Sequence, residues 1–123
     1  MTIKNIGVPN KQIYGDVAEP NAQTTTNTYA VVEDSGLNAK PFTTVSYTIS
    51  IATNNVDWKV TGANKADYSD EVEVQAEETV NAGSNSSYSA TPAPYGYYRV
   101  KIKSTVAGTH GVATINGIAK GWL

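Results

Sequence analysis

The chain has one histidine, His110, set in Gly108-Thr109-His110-Gly111. An imidazole can take a proton from a hydroxyl, but only with a nucleophile in reach and a third group to orient it. The flanking glycines point to an exposed loop histidine. Asp67-Tyr68-Ser69-Asp70-Glu71 gathers three carboxylates. Calcium takes such oxygens, yet the spacing is not that of an EF-hand loop, and acids in polar loops are common. Phosphate-cradling loops, metalloprotease motifs and a Gly-x-Ser-x-Gly elbow are absent. The expectation is a chain with no catalytic residues, no metal and no cofactor, which is not an enzyme.

Other residues suit contact rather than catalysis. Glu71 and Glu73 project from one strand face, and Arg99, Lys101 and Lys103 from another. On neighbouring strands such charges pair for roughly 0.2–1 kcal/mol each; apart, the basic row is a surface for an acidic partner. Pairing within the chain, or plain solvation, is the favoured reading. In Tyr95-Gly96-Tyr97-Tyr98, Tyr98 belongs to an inward set. Tyr95 and Tyr97 then either face outward, as platforms for a sugar or a protein, or cover the edge of the core. Asn85-Ser86-Ser87 matches the N-glycosylation acceptor pattern, read as coincidence without a secretion signal.

Composition narrows the class. Charged residues make up 16% of 123 residues, below the usual share of about 25%. Thr, Ser, Asn, Ala, Gly, Val and Tyr replace them, a mixture that suits strands and tight turns. Eleven acids against nine bases give a net charge of −2, without the basic excess of a nucleic-acid-binding surface. There is no cysteine, so disulfides and thiolate sites are excluded. The first residues have no continuous apolar core of a signal peptide. No stretch approaches the roughly 18 apolar residues of a membrane span. Synthesis in a cytoplasm, with neither nucleic acid nor membrane as partner, is expected.

Two regions follow. Residues 1–23 scatter Ile3, Ile6, Val8, Ile13, Tyr14 and Val17 among Gly7, Pro9, Gly15 and Pro20, with no persistent period. They read as an extended arm crossing a surface, with Ile3, Ile6, Val8, Ile13 and Tyr14 as partner-binding anchors. From residue 24 to 123 the period is two. Thr26 to Val32 reads as a strand, followed by a turn over Glu33-Asp34-Ser35-Gly36 with Gly36 available for positive φ. Val45, Tyr47, Ile49 and Ile51 alternate strictly with Thr44, Ser46, Thr48 and Ser50, the mark of a half-buried strand. After Ala52-Thr53-Asn54-Asn55, the run Val56, Trp58, Val60 suggests a hairpin with it. Gly62 to Asp70 reads as a polar loop. Val72, Val74 and Ala76 form another inward set. Tyr88 and Ala90 face inward before a corner at Pro92-Ala93-Pro94. Tyr98, Val100 and Ile102 alternate with the three bases. The last strand, Val112 to Ala119, offers apolar sets on both faces, Ala113/Ile115 and Val112/Ile118, so its facing is ambiguous and burial on both sides is left open. The core anchors are Tyr47, Ile49, Trp58, Val60, Tyr98, Val100 and Ile102. No helix survives. The fold class is all-β: a two-sheet antiparallel sandwich, jelly-roll or immunoglobulin-like, with an extended N-terminal arm; a closed barrel is the second choice.

The stretch from about Val45 to Gly121 resembles the small β-sandwich virion proteins of tailed bacteriophages, chiefly capsid decoration and head accessory proteins. The resemblance lies in the Trp-bearing strand ending Val60-Thr61-Gly62-Ala63-Asn64 and in Tyr97-Tyr98-Arg99-Val100-Lys101-Ile102-Lys103-Ser104-Thr105. It continues in the small-residue strand Ala113-Thr114-Ile115-Asn116-Gly117-Ile118-Ala119-Lys120-Gly121. It implies a non-enzymatic protein of the virion that docks on the major capsid protein, as a homo-oligomer with a trimer favoured. The alternative is a carbohydrate- or receptor-binding module of a phage tail or fibre, with a glycan as ligand.

Overall fold

The computed structural model describes residues 2–5 and 14–121. Ten strands are formed: β1 (Thr2–Asn5), β2 (Tyr14–Thr24), β3 (Ala30–Val31), β4 (Leu37–Asn38), β5 (Thr44–Thr53), β6 (Val56–Ala63), β7 (Val72–Val80), β8 (Asn85–Ala90), β9 (Tyr97–Ser104) and β10 (Val112–Lys120). No helix occurs among the described residues, so none is long and apolar enough to cross a membrane.

The strands form two five-stranded antiparallel sheets. One runs β1-β2-β10-β5-β8. The other runs β3-β9-β6-β7, with β4 also on β9. Apart from β1, the chain pairs β2 with β10, β3 and β4 with β9, β5 with β8, and β6 with β7. Four nested pairs, assigned alternately to the two sheets, make a jelly roll. The immunoglobulin-like alternative is thereby set aside.

The core lies between the sheets. Tyr47, Ile49, Trp58, Val60, Tyr98, Val100 and Ile102 are all fully buried there, with Val45, Val56 and Leu37. Burying one such large apolar side chain stabilises the fold by about 1.5–3 kcal/mol. Strand β10 turns Ala113, Ile115 and Ala119 inward, while Val112, Thr114 and Ile118 stay half-buried on the outside. It is therefore not buried on both sides: the sheet has one wet face.

Several expectations are corrected. Strands β5 and β6 do not form a hairpin. β5 pairs β10 and β8, whereas β6 pairs β7 and β9, so Asn54-Asn55 carries the chain from one sheet to the other. Alternation reports a buried face, not a partner. The polar loop begins after Ala63, not at Gly62, because β6 runs to Ala63. Val72 and Ala76 are exposed on β7, and only Val74 and Val80 of that strand pack on the core. Two register shifts against β6 are bulges that break the period of two.

The stretch 14–24, expected to continue an arm, is instead hydrogen-bonded along β10. Its alternation is hidden because Ala18 and Asn21 face Gly117 and Ile115. Two residues, Glu19 and Pro20, thus oppose one, Asn116. A bulge is where a proline fits a strand, since it lacks the ladder N–H. The expected strand from Thr26 to Val32 is shortened to Ala30–Val31. The turn after it places Asp34, not Gly36, at positive φ (60°). Asp tolerates that conformation better than most residues. The buried Ser35 fills the break between β3 and β4: its Oγ accepts the Val100 N–H (3.1 Å), and the Tyr47 hydroxyl donates to the Ser35 carbonyl (2.6 Å).

Candidate functional site

The outer face of the β9-β6-β7 sheet collects the charges. β9 contributes Arg99, Lys101 and Lys103, and β6 contributes Asp57 and Lys59. Glu71, Glu73 and Glu77 come from β7 and the residue before it. The acids and bases singled out in the sequence lie on strands separated by β6, and their side chains meet across it. Arg99 donates two hydrogen bonds to Glu71 (Nε to Oε2, 2.5 Å; Nη2 to Oε1, 2.9 Å), and Lys101 Nζ adds a third at 2.8 Å. The Thr61 hydroxyl donates a fourth at 2.6 Å. The Arg99 guanidinium holds the Glu71 carboxyl down at about 2, with Lys101 and Thr61 acting in the same direction against desolvation. A carboxylate that accepts several charge-assisted bonds resists protonation in this way.

Lys103 lies 3.8 Å from Asp57 and 3.6 Å from Glu77, and Lys59 3.5 Å from Glu73. Tyr29 lies against the same face. Its hydroxyl donates to Glu77 (2.6 Å), and its ring is 4.2 Å from Lys59 Nζ and 5.4 Å from Lys103 Nζ. Each base is matched by an acid, so this face neutralises itself rather than presenting a basic row.

The tyrosines are also engaged. Tyr95 is half-buried, meets Tyr98 edge-on (6.2 Å between centroids) and packs on the core. Its ring lies over Gly62, where an added Cβ would come within 2.8 Å. Tyr97 is half-buried, edge-on to Tyr68 at 6.3 Å, with Lys40 Nζ 6.0 Å from its ring. Tyr68, not singled out in the sequence, holds this corner: its φ is 59°, its hydroxyl donates to the Tyr98 carbonyl (2.8 Å), and Arg99 stacks on it at 4.1 Å. Burial pushes its pKa up to about 12. A tyrosine at positive φ gives no periodicity signal by which sequence reading would find it.

The loop acids serve the backbone. Asp70 accepts the N–H groups of Asn64 and Lys65, both at 3.1 Å, and Asp67 accepts that of Ser69 at 3.0 Å. No group of three metal-ligating side chains occurs among the described residues. His110 is exposed and hydrogen-bonds through Nδ1 to the Ser104 Oγ at 2.8 Å; Ser104 in turn bonds Thr25 at 2.8 Å. Ser104 is buried, and among the described residues no acid is bonded to the imidazole; the bonds tie the loops together.

The outer face of the other sheet contrasts in charge. β5 presents Thr48 and Ser50, β8 presents Asn85, Ser87 and Ser89, and β10 presents Thr114 and Asn116. Strand β8 is an edge: among the described residues, no strand pairs with its far side. Of the expected arm anchors, Ile3 lies in β1 opposite Asp16, and Tyr14 opens β2 opposite Asn5. Ile6, Val8 and Ile13 lie outside the described residues.

No family model matches the chain, and no curated protein matches it. Solved structures do. A subunit of Bacillus endospore appendages, described as a novel family of disulfide-linked pili, aligns over 96% of this chain and 99% of its own, with a TM-score of 0.57 and 18% identity. PirA aligns over 82% of this chain and 92% of its own, with a TM-score of 0.56 and 11% identity. At these identities the likeness is one of fold.

Proposed function

We propose that this chain is a non-enzymatic structural subunit of an ordered assembly. More specifically, we propose a virion protein that docks on an assembled phage capsid and stabilises it, as a homo-oligomer with a trimer favoured. The observation that carries the reading is the contrast between two sheet edges. Exposed edges are normally guarded by charge or bulges. Edge β7 has both: Glu73, Glu77 and Glu78, and two register shifts. Edge β8 (Asn-Ser-Ser-Tyr-Ser-Ala) has no charge, no proline and an unbroken register on β5. An unguarded edge suits addition of a strand from another subunit, where main-chain hydrogen bonds give the affinity. The cysteine-free composition leaves packing and pairing to hold such an assembly.

The arm enters this reading as residues 1–13, because β2 belongs to the sandwich. Removing residues 1–20 would strip β10 of half its partner and confuse folding with docking. The test uses purified protein with empty phage capsids, light scattering and electron microscopy. Wild type is expected to oligomerise or decorate shells. The edge variant S87K/S89K, with both changes at exposed positions, is expected to stay folded and lose assembly. Loss of residues 1–13 is expected to abolish docking on shells. A wild type that remains monomeric and leaves shells bare would overturn the proposal.

A further inference from the structure

At one end of the sandwich the β5–β6, β7–β8 and β9–β10 connections converge on a depression of about 270 Å³, lined by Asn54, Asn55, Ala82, Thr105, Val106 and Thr109. We infer that it binds one pyranose residue of an uncharged glycan. This goes beyond the structural role proposed above, which requires no such site.

The site is pre-built. Asn54 sits at positive φ (52°), and its Nδ2 donates to the His110 carbonyl at 2.7 Å. Asn55 Oδ1 accepts the Ala82 N–H at 3.0 Å, joining two of the loops. The Thr105 hydroxyl donates to Asp57 at 2.8 Å. Val106 and Thr109 face one another in a β-bridge closed by a 3.0 Å hydrogen bond, and Asn27 Oδ1 accepts the Gly108 N–H at 2.8 Å. Polar groups fixed in advance bind at lower entropic cost.

What these bonds leave over defines the ligand. Each asparagine uses one end of its amide on the protein, and among the described residues nothing else bonds the Asn54 Oδ1 acceptor or the two Asn55 Nδ2 donors. The Thr109 hydroxyl has no partner among the described residues. Amide and hydroxyl groups together match sugar hydroxyls, which both donate and accept. Val106, 61% exposed, offers an apolar patch for the C–H face of a sugar ring. No charged side chain lines the depression, so an anionic or cationic ligand finds no counter-charge. A few placed polar groups beside an apolar wall are the general make-up of a small-molecule site.

The test is a titration of the ¹⁵N-labelled full chain with glucose, galactose and N-acetylglucosamine, each carried to tens of millimolar, enough to fill a site with a Kd of about 1 mM. At least one sugar is expected to shift the amides of residues 54, 55, 82, 105, 106 and 109. T109V and V106A, both at exposed positions, should keep the folded spectrum and weaken binding by about fivefold each, the loss of one hydrogen bond or one apolar contact. No shift with any of the three sugars would overturn the inference. So would shifts centred on Tyr95 and Tyr97 instead, or unchanged affinity in both variants.

Discussion

Trp58 donates its indole N–H to Glu78 Oε1 at 2.8 Å, and the same oxygen accepts the Ser86 hydroxyl at 2.5 Å. Trp58 and Glu78 are register partners on β6 and β7, whereas Ser86 belongs to β8 in the other sheet. One carboxylate therefore fastens the two sheets at their open side and satisfies the polar atom of the largest core residue. A buried indole N–H left without a partner is costly.

Replacing Glu78 by Ala should lower stability by about 1–2 kcal/mol, because the indole donor loses its acceptor. E78Q, which keeps a carbonyl oxygen at that place, should recover most of the loss. Urea unfolding of the three proteins checks the order.

Glu71 should govern part of the acid sensitivity. Folding lowers its pKa from 4.5 to about 2, mainly through the Arg99 hydrogen bond. Its contribution is thus whole above the ordinary value and is lost as pH falls through 4.5 towards 2. E71Q should cost roughly 1–3 kcal/mol at neutral pH and little once the pH is below about 2. Unfolding curves for wild type and variant across that range measure the difference directly.

Asp16 should act in the opposite sense. It is fully buried on β2; Oδ2 accepts the Asn38 N–H at 2.5 Å, and Oδ1 has no hydrogen-bond partner among the described residues. Burial raises its pKa above 3.8, so the folded state holds the proton more tightly than the unfolded chain. Its contribution is favourable below the ordinary value and is lost as pH rises through the raised one. The stability of D16N relative to wild type should therefore improve from about pH 3 to about pH 7. Paired thermal melts at the two pH values check the sign.

Gly117 should resist substitution. A Cβ there would lie 2.5 Å from the Tyr47 ring and 3.2 Å from the Ala18 Cβ, and Tyr47 is fully buried. G117A should destabilise by about 1–3 kcal/mol through overpacking, measurable as a lower urea midpoint. Y47F, which shortens the obstructing ring only at its tip, should not rescue it.

Much of the architecture was legible from local pattern. The alternation of Val45, Tyr47, Ile49 and Ile51, of Trp58 with Val60, and of Tyr98 with Val100 and Ile102 is dictated by the pleat: every second side chain needs a dry face. The absence of cysteine and of any helical period likewise followed from composition and spacing. That much, an all-β chain that must seal an apolar layer between two sheets, was set by residue order alone.

The tertiary structure decided the partners. Whether β5 meets β6 or crosses to β8 and β10 depends on contacts far apart in the chain, and a period of two is blind to them. Strand β2 was hidden because the bulge opposite Asn116 and the presence of Pro20 erase its alternation. The pairing of Glu71 with Arg99 and Lys101 required β6 to lie between β7 and β9. The loop-end depression draws on three connections separated by tens of residues, so no local motif announces it. Local spacing fixes which side of a strand is dry, while chain topology fixes what stands on the other side.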